Sequence, residues 1–181
     1  MSKSSFGRNY KALLLFQKIK PVVGVYSDMK PNFSPLTVQN SSPYFDLHKQ
    51  GQFSPWSRKI FEDCLTKPYF AFSLDQDSQP LGYYIGMTVL DEVTLMDIVV
   101  CTAHQGKGLG KSLLQHFMAQ CIQNNIQQIW LEVRESNVAA INLYDNAGFM
   151  MVEQRQNYYP CAKGKEDALI MCCYLGGKLS T

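Results

Sequence analysis

A glycine-rich segment at residues 102–111 (T-A-H-Q-G-K-G-L-G-K) lies between an apolar run at 93–101 and a helical pattern. The helical pattern is formed by four apolar residues on one helix face: Leu109, Leu113, Phe117 and Cys121. Three glycines stand at alternate positions of the segment: Gly106, Gly108 and Gly110. They allow the backbone N–H groups to converge where the helix begins, and convergent amides at a helix N-terminus bind anions. The segment therefore predicts an anion site, although a glycine-rich turn selected only for its shape fits the same pattern.

Two nucleotide-binding motifs can be tested against this segment. A Walker A loop requires glycine five residues before Gly110, where the chain has Gln105. A Rossmann fingerprint requires glycine at position 111 or 113, and these positions are Lys111 and Leu113. Neither motif fits, so an anion site at this segment would belong to another kind of loop.

Three apolar runs precede the glycine loop and predict strands: 69–74, 81–90 and 93–101. Their short connections favour an antiparallel meander. Upstream of them, a helix is predicted to begin at Ser54, with Pro55 in its first turn. Its apolar residues fall near one face: Trp56, Ile60 and Leu65.

After the loop helix, the sequence pattern alternates between that of a strand and that of a helix. A buried strand is predicted at 126–133 and a short helix at 137–146, ended by Gly148. Two final strands at 149–156 and 167–174 flank a predicted loop that contains three consecutive residues: Tyr158, Tyr159 and Pro160. The order of three strands followed by α-β-α-β-β predicts an α/β (α+β) fold with a mixed sheet and flanking helices.

Composition narrows the class of protein. A length of 181 residues suits one domain, and a net charge of +2 is too small to indicate nucleic-acid binding. The six cysteines show no metal-ligand spacing, so we expect reduced thiols and no metal. The apolar stretch 12–16 is too short for a signal core or a membrane span. These features predict a cytoplasmic protein without direct contact to membrane or nucleic acid.

The letters Q-x-x-G-x-G at 105–110 resemble the pyrophosphate-binding loop of the GNAT acetyltransferases. The motif L-D-E-V-T-L-M-D-I-V-V precedes the loop, and I-W-L-E-V-R-E-S-N-V-A-A-I-N-L-Y-D-N-A-G-F follows it. With F-S-P-W-S upstream, and R-Q-N-Y-Y-P and E-D-A-L-I-M downstream, the chain is similar to the RimI type, the bacterial ribosomal-protein alanine N-acetyltransferases. The similarity extends from about Leu36 to Leu175.

This resemblance implies a GNAT acyltransferase fold with a mixed, mostly antiparallel central sheet. It implies a single domain at 36–181, preceded by an extension of unknown role at 1–35, and we expect a monomer. Acetyl-CoA is the implied co-substrate, without a metal. The resemblance assigns its binding to three groups of residues: Asp97, Ile98 and Val99 of a strand, Gln105, Gly106, Lys107, Gly108, Leu109, Gly110 and Lys111 of the loop, and Asn137.

The resemblance also implies the chemistry. Glu132 is the implied general base and Tyr144 the implied general acid, whereas a solvent-facing glutamate and a packed tyrosine are the ordinary alternatives. Asn137 also suits a helix cap. Tyr158 and Tyr159 are expected to form a wall of the acceptor pocket. We assign no role to His48, His104 or His116, and we expect His116 on the exposed side of the loop helix.

The implied reaction is acetyl transfer to the α-amine of a protein N-terminus, with ribosomal protein S18 as the type's target. A lysine side chain or a small amine is an alternative acceptor. A non-catalytic fold that only binds acyl-CoA is the third possibility, although binding alone requires neither Glu132 nor Tyr144.

Overall fold

The structure, a computed structural model, describes residues 32–176. One sheet contains seven strands: β1 (Asn32–Pro35), β2 (Tyr69–Gln76), β3 (Gln79–Val89), β4 (Glu92–Val100), β5 (Gln128–Arg134), β6 (Met150–Cys161) and β7 (Gly164–Tyr174). The described part also contains four α-helices: α1 (Ser42–Gly51), α2 (Arg58–Asp63), α3 (Leu109–Gln123) and α4 (Val138–Asn146). The strand order is β1-β2-β3-β4-β5-β7-β6. Among these helices, no stretch has the length and apolarity needed to cross a membrane.

The pairing in the sheet confirms the predicted mixed, mostly antiparallel fold. Strands β2, β3 and β4 form the expected meander. Among the seven described strands, only β4 and β5 pair in parallel, because helix α3 returns the chain to the same end of the sheet. The α/β fold class and the element order after the glycine loop are therefore confirmed.

The sheet separates two apolar clusters. The neighbours Tyr83 and Tyr84 in β3 are both fully buried but belong to different clusters, as strand alternation requires. Tyr84 packs with Leu113 and Phe117 of α3, and Tyr83 packs with residues of α1 and α2. The four residues predicted to form the inner face of α3 are all buried.

Strands β4 and β5 pair only over their first halves. The parallel register runs from Glu92↔Gln128 to Leu95↔Leu131. A register shift between Ile85 and Gly86 marks a β-bulge against β4 immediately after this point. The two strands therefore diverge and leave a cleft that opens toward the glycine loop.

Two predictions about helices upstream of the meander were wrong or incomplete. Helix α2 begins at Arg58, with Ser57 as its N-cap, and not at Ser54. The preceding segment is held in a non-helical path because the backbone N–H of Trp56 donates to the ring of His48 at 2.9 Å. Helix α1 was not predicted at all.

Two further predictions were wrong. Tyr158, Tyr159 and Pro160 lie within strand β6 and not in a loop. The pairing of β6 with β7 is irregular between Arg155 and Tyr159, which explains the weak strand pattern. His116 is partly buried, because its ring stacks on Phe33 at a centroid distance of 3.9 Å.

The division into an extension and a domain remains a prediction. Strand β1 (Asn32–Pro35) lies at the end of the range assigned to the extension and pairs with β2. The rest of that extension lies outside the described residues, as do residues 177–181.

Candidate active site

Two cavities occupy the cleft between β4 and β5. The first, which we call the loop-side cavity, measures about 400 Å³ and is lined by Val100, Gln105 and Ser136 among others. The second, which we call the inner cavity, measures about 340 Å³ and extends to Glu132 and Tyr144. The cavities share four residues and therefore adjoin: Gln52, Ile98, Arg134 and Asn137.

The glycine loop lies beside the loop-side cavity. Gly106 and Gly108 have φ angles of +74° and +83°, and a Cβ atom at either position would meet nothing within 4 Å. Backbone conformation, and not lack of space, therefore requires glycine at both positions. The first hydrogen bond of helix α3 runs from the Ser112 N–H to the Gly108 carbonyl, so the amides of residues 109–111 precede the helical ladder and suit an anion.

The other loop residues surround this point. Gln105 donates from Nε2 to the Val100 carbonyl at 3.3 Å, which ties the loop to the end of β4. Leu109 is buried in the core under the helix. Lys107 and Lys111 are exposed next to the loop amides, where positive charge would favour phosphate.

The second half of β4 forms one side of the cleft. Asp97, Ile98 and Val99 pair with β3 along one edge. Ile98 lines both cavities, Val99 lines the loop-side cavity and Asp97 lines the inner cavity. The cleft edge of this strand therefore offers backbone groups to a molecule that lies between β4 and β5.

Asn137 lies where β5 leads into α4. Its side-chain oxygen accepts a hydrogen bond from the Ala140 N–H at 3.1 Å, so it caps the helix. It also lines both cavities. The capping role uses Oδ1, which leaves the amide NH₂ group available for a ligand.

Glu132 lies in β5 between the buried residues Leu131 and Val133, so its side chain points to the opposite face of the sheet. It lines the inner cavity. Its Oε1 accepts a hydrogen bond from Arg155 Nη1 at 2.5 Å, and its side chain is 30% exposed. The carboxylate is thus partnered but still accessible to water.

Tyr144 of helix α4 is 5% exposed and lines the inner cavity. Burial raises the pKa of its hydroxyl, and the charge of Asp97 raises it further. The ring packs against Phe149. Tyr144 therefore remains protonated at physiological pH and can donate a proton inside the cavity.

The two adjacent tyrosines of β6 differ in position. Tyr159 lines the inner cavity, and the Arg134 guanidinium lies 4.4 Å from its ring centroid. Burial, followed by the charge of Glu132, raises the pKa of Tyr159 to about 12. Tyr158 is 46% exposed, lines neither cavity, and contacts the Tyr159 ring edge to face at 5.0 Å.

Comparison with known proteins identifies the family. The model of the acetyltransferase (GNAT) family matches residues 35–149. The chain belongs to the GNAT acetyltransferases. The ribosomal protein bS18 alanine N-acetyltransferase of Escherichia coli K12 is 39% identical over 127 residues, which cover 70% of this chain and 86% of the relative. The Haemophilus influenzae enzyme of the same name is 39% identical over 132 residues, 72% of this chain and 90% of the relative.

A solved structure gives the same assignment for this GNAT chain. The crystal structure of the Escherichia coli ribosomal-protein-S18-alanine N-acetyltransferase matches with a TM-score of 0.80 and 34% identity, over 84% of this chain and 99% of that one. The predicted family, type and fold are confirmed. The prediction of an acetyl-CoA-dependent N-acetyltransferase is confirmed with them, because GNAT acetyltransferases use acetyl-CoA.

In this GNAT chain the cleft also contains a buried polar cluster that the sequence did not reveal. The side chain of Asp97 contacts His48, Tyr83 and Gln52. His48 and Gln52 also line the inner cavity, as does Trp56. The one signal in the sequence was an aspartate within the apolar run L-M-D-I-V-V.

The cysteines agree with the expectation of free thiols. The six cysteines are unpaired, and four of them are buried: Cys64, Cys121, Cys172 and Cys173. Burial raises the pKa of the Cys121 thiol to about 12, so this thiol is unreactive. Within residues 32–176, no group of three metal-ligating side chains comes together. The absence of a metal remains a prediction.

Proposed function

We propose that this GNAT enzyme transfers the acetyl group of acetyl-CoA to the α-amine of a protein N-terminus, and that the target is the N-terminal alanine of ribosomal protein bS18. The observation that carries the proposal is the inner cavity, which brings Glu132, Tyr144 and Tyr159 together beside the loop-side cavity. The names of the Escherichia coli and Haemophilus influenzae relatives support the choice of acceptor.

Acetyl-CoA is proposed to lie along the cleft between β4 and β5. The backbone amides of the loop at 106–111 bind its pyrophosphate, and the exposed Lys107 and Lys111 add positive charge. The cleft edge at 97–99 and the amide of Asn137 hold the pantetheine arm. The thioester carbonyl accepts from a backbone N–H of the same strand, which stabilises the developing oxyanion.

The acceptor amine must lose a proton, because an α-amino group titrates at about 7.7–8.0 and is mostly protonated at neutral pH. Glu132 is proposed to take that proton through a water molecule, since its carboxylate is accessible to water. The amine then attacks the thioester carbon and forms the C–N bond.

Collapse of the tetrahedral species breaks the C–S bond and releases a thiolate. Tyr144 is proposed to give its hydroxyl proton to that sulfur, because the raised pKa keeps this group protonated until the sulfur leaves. Tyr159 contributes the wall that confines the acceptor, with Tyr158 supporting its ring from outside. We keep the cytoplasmic location and the monomeric state as predictions.

A thiol-release assay tests the proposal. The N-terminal peptide of ribosomal protein bS18 is compared with the same peptide whose α-amine is blocked and whose internal lysine is free. We expect release only with the free α-amine, a loss of roughly 100-fold or more in Glu132→Gln, and normal activity in the control Glu153→Gln, an exposed β6 residue outside both cavities.

The other outcomes identify the alternatives. Activity that survives blocking moves the acceptor to a lysine side chain. If neither peptide gives thiol release although CoA binds tightly, either the acceptor is a small-molecule amine or the fold only binds acyl-CoA.

A further inference from the structure

We propose that the Asp97 carboxylate recognises the positive charge of the acceptor's amino terminus, and that His48 positions this carboxylate and the adjacent cavity wall. The inference rests on the proposed function, since it specifies how that acceptor is selected. Asp97 therefore acts through its side chain, in addition to any role of its backbone in acetyl-CoA binding.

Asp97 is a buried carboxylate with three side-chain donors. Its Oδ2 accepts from the Tyr83 hydroxyl at 2.6 Å and from His48 Nδ1 at 2.9 Å. Its Oδ1 accepts from Gln52 Nε2 at 3.1 Å. The residue is 8% exposed, and that remaining surface lines the inner cavity. Because Oδ1 accepts one hydrogen bond here, it has capacity for another donor.

The hydrogen bonds of His48 assign the donor and acceptor roles of its two ring nitrogens. The Trp56 backbone N–H donates to Nε2 at 2.9 Å, so this nitrogen carries no proton. The single ring proton is therefore on Nδ1, where it is donated to Asp97. The Tyr83 hydroxyl also stays protonated, since burial and the Asp97 charge raise its pKa well above the usual value. All three donors to Asp97 are neutral groups.

The other acids of the two cavities have cationic partners. Glu132 pairs with Arg155, and Glu166 pairs with Arg134 at 2.6 Å. Among the described residues that line the cavities, Asp97 is thus the acid whose contacts include no cation. A buried carboxylate without a counter-charge is costly, so a cation that reaches it is favoured.

The acceptor supplies the missing charge. A protein amino terminus arrives mostly as an ammonium ion at neutral pH, and a cation in the inner cavity interacts with Asp97 through a medium of lower effective dielectric than water. The acetylated product is neutral at the same position. The same contact therefore favours substrate entry and does not hold the product.

His48 joins three parts of the site. It lies in α1, donates to Asp97 in β4, and accepts from Trp56 in the segment before α2. Gln52, Ser54 and Trp56 of that connecting segment line the inner cavity. The 1% exposed ring thus holds the carboxylate and the cavity wall in one arrangement.

Equilibrium binding to the full-length protein with CoA present tests the recognition without turnover. The acceptor peptide is compared with its des-amino analogue, which lacks the α-amine. We expect the wild type to prefer the amine peptide by roughly tenfold, Asp97→Asn to lose this preference, and Glu132→Gln to retain it. CoA affinity should be the same in all three proteins.

Three results would overturn the recognition by Asp97: no preference in the wild type, a preference that persists in Asp97→Asn, or a preference that disappears in Glu132→Gln. If Asp97→Asn does not fold, the wild type and Glu132→Gln decide alone. Turnover of the same peptide by the wild type reports separately on the proposed function, so a preference can fail while acetylation stands.

Two variants of His48 test the positioning. His48→Asn retains an amide donor near Nδ1 and should keep most of the amine preference, whereas His48→Leu removes the donor and should lose it. Equal preferences in the two variants would show that His48 has only a packing role.

Discussion

Arg155 Nη1 of β6 lies 2.5 Å from Glu132 Oε1 of β5. The carboxylate proposed as general base is therefore paired with a cation from β6, which is separated from β5 by β7. The side chain of Arg155 is 43% exposed and that of Glu132 is 30% exposed. The pair is therefore screened by water and salt and should add little to stability. We expect its main effect to be the orientation of the carboxylate toward the inner cavity.

Replacing Arg155 with Gln separates orientation from stability. We expect kcat to fall, but by less than the roughly 100-fold expected for Glu132→Gln, because the base itself remains. The free energy of unfolding should change by less than about 1 kcal/mol. Arg58→Gln is the matched control, since Arg58 pairs with Glu62 outside both cavities. An unchanged kcat in Arg155→Gln would show that Glu132 needs no orientation by this pair.

The hydroxyl of Tyr144 should matter for chemistry and not for cofactor binding. Tyr144→Phe is expected to lower kcat by about 100-fold while leaving the affinity for CoA unchanged. Because burial and the Asp97 charge raise the pKa of Tyr144, the neutral form persists as pH rises, and wild-type kcat should show no loss from this group below about pH 10. A variant with normal kcat would exclude Tyr144 as the general acid.

The glycine loop makes a prediction about stability. Gly108→Ala forces an L-residue into a φ of +83° and should lower the free energy of unfolding by about 1–2 kcal/mol. Gly110→Ala is the control, because Gly110 lies in the first turn of α3. A Cβ atom at this position would lie 3.6 Å from Leu143 Cδ2, which is an ordinary van der Waals contact. The unfolding free energy of Gly110→Ala should be unchanged or higher. Thermal unfolding of the two variants decides, and equal midpoints would contradict the argument.

His116 makes stability depend on pH. Burial lowers the pKa of its ring, so the unfolded chain binds a proton more readily than the folded protein below about pH 6.5. This contribution to stability is complete above that pH and is lost as pH falls toward the lower folded-state pKa. Denaturant unfolding between pH 7.5 and 5 should show the loss, and His116→Asn should reduce its slope. The same slope in both proteins would assign it to other groups.

Local patterns made most of the sheet and the long helix predictable. Alternating apolar residues and short turns are sufficient to indicate the meander of β2 to β4. The four-residue apolar stripe was likewise sufficient for α3. Such signals arise within one element and do not depend on the rest of the fold.

The features that the sequence missed depend on distant residues. The start of α2 is displaced because the Trp56 N–H bonds to His48, which lies in another helix. The environment of Asp97 is built from side chains that lie 45, 49 and 14 positions away. No periodicity in one segment can reveal contacts of this kind. Glu132 and Tyr144 line one cavity. Their pairing was predicted from the family resemblance, because their spacing in the chain alone indicates no site.

The position of the acetyl group is the most direct test of the account. The N-terminal peptide of ribosomal protein bS18, with both its α-amine and an internal lysine free, is incubated with the enzyme and acetyl-CoA, and tandem mass spectrometry locates the product. We predict acetylation of the N-terminal alanine, with the lysine unmodified. Acetylation of the lysine would contradict transfer to a protein N-terminus. An unmodified peptide would contradict it too, if the enzyme consumes acetyl-CoA in a parallel reaction with a different amine.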